Sequence, residues 1–70
     1  MRRDELLRKI RRAARHANIE FELFREGGSH SIFRCGTTTV VVPRHSEINE
    51  LTARAIMKDL DSELGQGWSR

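Results

Sequence analysis

The chain has 70 residues, a third of them charged, with a net charge of +3. That length allows one small domain with a thin core, since a chain this short buries only about 60% of its unfolded surface. A single cysteine, Cys35, excludes an internal disulfide framework.

The charge is unevenly spread. Residues 1–18 carry seven basic and two acidic side chains, while residues 19–43 and 44–70 each carry a net of −1. The positive field therefore belongs to the N-terminal segment, and it favours an acidic partner such as nucleic acid or an acidic protein surface. No apolar run has the length of a signal peptide or of a membrane span, so the expected location is the cytoplasm.

The first element is a helix from about Asp4 to Ala17. Leu6, Leu7, Ile10, Ala13, Ala14 and Ala17 recur at three- and four-residue spacing and make one apolar stripe. Asp4 and Glu5 favour the helix dipole and stand four residues before Arg8 and Lys9. Arg8, Arg12 and Arg15 share the outward face, and Asn18 is the expected stop.

From Ile19 to Arg25 the pattern alternates, as in a half-buried strand. Ile19, Phe21 and Leu23 take one face, Glu20 and Glu22 the other, and Phe24 is expected over an edge. Glu26-Gly27-Gly28 is a turn signal, read as a place where glycine supplies positive φ. A second strand runs from His30 to Cys35; both faces carry an apolar residue, Ile32 on one and Phe33 with Cys35 on the other, and Phe33 and Cys35 make the better core pair. His30 and Arg34 then share the open face. Gly36 marks the next turn, Thr38 to Val42 is a β-branched third strand, and Pro43 ends it. Asn49 is the N-cap of a helix running to about Leu64, with Ala53, Ile56, Met57, Leu60 and Leu64 as its stripe. Gly65 is the stop, and residues 65–70 are expected to fray.

The fold class is therefore α+β, in the order α-β-β-β-α. Short glycine turns require an antiparallel three-stranded meander, with both helices covering one face and the other face open. Residues 1–70 form a single domain, with no repeat or linker.

The residues that carry chemistry centre on Gly28-Ser29-His30. A histidine just after a glycine turn, at a strand mouth, is held by a paired backbone and can still face solvent. Histidine gives and takes a proton near neutral pH. In a basic chain this suggests acid–base cleavage of RNA, with the base removing a 2′-hydroxyl proton and cations stabilising the transition state. Arg34 can contact phosphate through its forked donors, and Ser29 with the Gly27–Gly28 amides can hold an anion. His45 is a second proton-transfer group, a substrate contact or an ordinary loop histidine. Arg8, Arg12 and Arg15 can grip a phosphate backbone, form a solvated face or meet an acidic inhibitor. Aromatic stacking is poorly provided for, since there is no tyrosine, the phenylalanines look structural and Trp68 lies in the tail. No spacing makes a credible metal site or nucleotide-binding loop.

The run from Phe24 to Arg34, with its Gly-Ser-His triplet, resembles the signature of HicA toxins. So does Val40-Val41-Val42-Pro43-Arg44-His45 followed by a helix, and the resemblance spans roughly Leu6 to Leu64. It implies a fold similar to a double-stranded-RNA-binding domain and an mRNA endonuclease activity without a cofactor or metal. The family's catalytic histidine falls on His30. The implied partners are mRNA and a HicB-type antitoxin, in a homo-oligomer or a toxin–antitoxin hetero-oligomer. The alternative is a non-catalytic RNA-binding or antitoxin-binding module of the same fold.

Overall fold

Helix α1 (Arg3–Ala17) forms where the apolar stripe falls, and the computed structural model describes all of residues 1–70. Leu6, Leu7, Ile10 and Ala14 are buried along it. Asn18 ends the helix in the left-handed conformation, φ 59° and ψ 43°. The Asn18 amide donates to Arg15 O at 3.1 Å and the Ile19 amide to Ala14 O at 2.9 Å. These two bonds satisfy carbonyls that the helix end would otherwise orphan. Of the two expected ion pairs only Asp4–Arg8 forms, at 3.8 Å on an exposed face. Such a pair adds no more than about 0.5 kcal/mol.

Strands β1 (Phe21–Glu26), β2 (His30–Cys35) and β3 (Thr38–Pro43) make an antiparallel sheet in the order β1-β2-β3. Ser31, Phe33 and Cys35 point into the core, as expected, and pair with Val42, Val40 and Thr38. Leu6, Leu7 and Ile10 of α1 meet Phe33, Cys35, Val40 and Val42 of the sheet, together with Ala53, Ile56 and Leu60 of the second helix, in one core cluster. Both helices thus cover the same sheet face.

Strand β1 departs from the expected half-buried alternation. It begins at Phe21 and not at Ile19, and Leu23 and Phe24 are both about half exposed. The pairing jumps from Leu23↔Phe33 to Arg25↔Ile32, which leaves Phe24 as the extra residue of a bulge. Phe24 does not cover an edge. Its ring lies on the open face beneath the Arg34 guanidinium, 4.3 Å from the ring centroid. The bulge also returns Glu26 to the core side, opposite Ser31.

The turns differ from expectation in their glycines. Neither Gly27 nor Gly28 has positive φ; Gly36, in the β2–β3 turn, does, at 61°. A side chain at Gly36 would also run into the Glu63 carboxylate.

The last helix is shorter than expected. Helix α2 (Glu50–Asp59) starts at the Asn49 cap, whose side chain accepts from the Leu51 amide at 2.8 Å. It ends at Leu60, where φ −91° and ψ 0° break the chain before a single turn, α3 (Asp61–Leu64). The bend keeps Leu60 fully buried while Glu63 reaches the Thr37 and Thr38 hydroxyls, both at 2.9 Å. A straight helix would carry that carboxylate away from the hairpin.

Residues 65–70 were expected to fray and instead fold back in turns. The Trp68 indole N–H donates to Met57 O at 2.9 Å, and the ring packs against the core. Ile48, in the loop before α2, is another core residue, and Arg2 bridges to Glu47 beside it.

Candidate functional site

His30 opens β2 on the uncovered side of the sheet and is exposed. Its Cα partner is Pro43, the last residue of β3. Ser29 Oγ lies 3.2 Å from His30 Nδ1. With one ring nitrogen engaged there, Nε2 is left for a ligand. The Gly27 amide donates to His30 O at 2.8 Å and closes the turn. That amide is spent, whereas the Gly28 and Ser29 amides have no backbone acceptor. The part of the expected anion cradle that stays open is therefore Gly28–Ser29.

The turn is held from outside by residues that the sequence did not single out. The Arg44 amide donates to Ser29 O at 3.0 Å, and its side chain donates to Gly27 O at 3.2 Å and pairs with Glu26 at 3.3 Å. Glu26 accepts from the Ser31 hydroxyl. Ser31 Oγ accepts in turn from Arg3 Nη2 at 3.0 Å, while Arg3 Nε donates to Pro43 O at 2.9 Å. Arg3, Ser31, Glu26 and Arg44 thus tie α1, β2, β1 and the loop after β3 around the base of the His30 turn. Ser31 is fully buried, so its two hydrogen bonds are what make a polar atom tolerable there. An alternating strand pattern shows which face Ser31 takes, but not which distant side chains meet it.

The other expected residues are distributed unevenly. His45 follows Arg44 in the exposed loop after β3, at the same end of the sheet as His30. Arg34 shares the open face with His30 but stands four residues along the strand, roughly 13 Å away. Its guanidinium lies over the Phe24 ring, 4.3 Å from the centroid. Arg8, Arg12 and Arg15 do gather on α1, with Asp4 and Arg11, around a surface cavity of about 360 Å³. A second cavity, of about 310 Å³, lies between Arg2, Arg3, Asp4, Arg44 and Ser46. The two share Asp4 as a lining residue.

Cys35 is buried, and burial together with the nearby Glu63 carboxylate pushes its thiol up from the ordinary 9.0. It is therefore a protonated core residue and not a nucleophile. No group of three or more His, Cys, Asp or Glu residues clusters as a metal set would. No helix is long and apolar enough to cross a membrane.

No curated protein and no solved structure gives a significant match to this chain. A family model described as HicA toxin of bacterial toxin-antitoxin matches residues 8–61, well over half of the chain.

Proposed function

Because the chain belongs to the HicA toxin family, and is thus the toxin of a toxin–antitoxin pair, we propose that it is a metal-independent mRNA endoribonuclease with His30 as its general acid/base. The observation that carries this reading is the setting of His30. It is exposed at the mouth of a paired strand, with Ser29 on Nδ1 and two unspent amides beside it.

His30 Nε2 takes the proton of a ribose 2′-hydroxyl. The 2′ oxygen then bonds to the adjacent phosphorus, and the bond from phosphorus to the 5′ oxygen breaks. A proton returns to that leaving oxygen, from His30 or from His45 at the same end of the sheet. The products are a cyclic phosphate and a 5′-hydroxyl. The Gly28 and Ser29 amides stabilise the charge that builds on the phosphoryl oxygens. Arg3 and Arg44 position the turn. Arg8, Arg12 and Arg15 hold the RNA backbone, and Arg34 contacts the RNA where it crosses the open face of the sheet. A HicB-type antitoxin neutralises the toxin by covering this end of the sheet.

The test is RNA cleavage by the purified chain in EDTA, wild type against His30→Ala, with product ends identified. Cleavage by wild type alone, leaving cyclic phosphate ends, is expected. Equal cleavage by both would remove His30 from the mechanism. Cleavage by neither, in folded protein free of antitoxin, would favour a binding module.

A further inference from the structure

Trp68 lies in the tail of the sequence, yet the fold returns it to the surface of α1. It lines a cavity of about 280 Å³ with Lys9, Arg12, Ala13, His16 and Arg70. Lys9, Arg12, Ala13 and His16 follow helical spacing and so form one wall. The small Ala13 leaves room between the basic side chains. The indole forms the other wall. Its only donor is spent inward on Met57 O, so it offers the cavity apolar ring surface.

The cations here are not neutralised. The side chains of Lys9, Arg12, His16 and Arg70 take part in none of the ion pairs of the structure. Cations alone would suit any polyanion. An anchored aromatic ring flanked by cations suits a ligand with both a flat π-face and phosphates, which is an unpaired nucleotide. A duplex keeps its bases stacked internally and has no use for the indole. Arg12 also lines the 360 Å³ cavity, which in turn shares Asp4 with the cavity between Arg3 and Arg44. The Trp68 cavity thus adjoins the arginine face of α1 through Arg12.

We infer that the cavity between Trp68 and the Lys9–Arg12–His16 wall is a subsite for single-stranded RNA, stacking one base on the indole at a distance from the cleavage centre. The inference rests on the endoribonuclease reading for its substrate class. It adds a base-stacking contact that the alternating sheet and the arginine face do not supply.

Trp68 is the only tryptophan and the chain has no tyrosine, so its emission reports this cavity directly. The experiment titrates the full wild-type chain with a 2′-O-methyl oligoadenylate of about ten nucleotides, which cannot be cleaved through the 2′ oxygen. An abasic oligonucleotide of the same length and an oligoglutamate serve as comparisons. The expected result is saturable quenching by the oligoadenylate, with the abasic chain binding about tenfold more weakly and quenching little. Equal quenching by the abasic chain would overturn the stacking site. Equal quenching by oligoglutamate would assign the cavity to an acidic protein surface and overturn it as well. An unquenched indole in a chain that still cleaves RNA would remove the subsite and leave the proposed function standing. Absence of both RNA binding and cleavage would remove both.

Discussion

His30 owes its setting to a few side chains whose individual bonds are ordinary. Ser31 is the most exposed to loss because it is the most buried. Its hydroxyl links Arg3 to Glu26, and Ser31→Ala leaves Arg3 Nη2 and Glu26 Oε1 without that partner. The expected cost is about 1–2 kcal/mol in urea unfolding. RNA cleavage should fall less than in His30→Ala, because the variant loosens the turn without removing the proposed proton-transfer group. Arg3→Lys is not a conservative change either. One ammonium cannot reproduce a fork that spans Pro43 O and Ser31 Oγ. Gly36 is constrained in a different way. Its positive φ and its proximity to Glu63 both oppose a side chain, so Gly36→Ala should destabilise by more than about 1 kcal/mol on thermal unfolding.

At the scale of elements, the break at Leu60 matters most. It lets α3 lay Glu63 on the β2–β3 hairpin, where the Thr37 hydroxyl, and then that of Thr38, hold its carboxyl below the ordinary value of 4.5. A folded-state pKa below the unfolded one stabilises the fold once pH exceeds the unfolded value. That contribution is lost as pH falls through the lower, folded value. The melting temperature of wild type should therefore exceed that of Glu63→Gln at pH 6, and the difference should shrink as pH drops below the ordinary carboxylate range. A constant difference from pH 6 to pH 3 would rule out the ionised carboxylate as the source. Helix α2 depends on its own start as well. Asn49→Ala removes the acceptor for the Leu51 amide and should cost about 1 kcal/mol of unfolding free energy.

Over the whole molecule, charge and chemistry are divided between two surfaces. The sheet end carries His30, and the helix layer carries most of the unpaired arginines. The cavity on the arginine face of α1 and the one beside Arg44 share Asp4 as a lining residue. Reversing Arg8, Arg12 and Arg15 to Glu should weaken RNA binding and flatten the dependence of log K on log salt, as phosphate contacts and their released counterions are lost. An unchanged slope across a salt titration would put the RNA path elsewhere. Under the proposed function, an RNA that spans both surfaces would account for so much unneutralised charge on a single helix. Self-repulsion there is a cost that a polyanionic partner relieves.

The sequence by itself determined the element order, the caps at Asn18 and Asn49, and the strand-mouth position of His30. Each follows from local rules: side-chain periodicity, turn residues and backbone capping need only a few neighbouring positions. Tertiary structure alone decided the bulge at Phe24, the break at Leu60 and the return of Trp68. It also decided the ring of Arg3, Ser31, Glu26 and Arg44. These depend on which side chains from distant segments compete for the same space and the same hydrogen-bond partners. Phe24 lies over to meet Arg34, Leu60 stays buried as Glu63 turns to Thr37 and Thr38, and the Trp68 indole finds the Met57 carbonyl. No local pattern carries that information, because each partner becomes a neighbour only after the chain has folded.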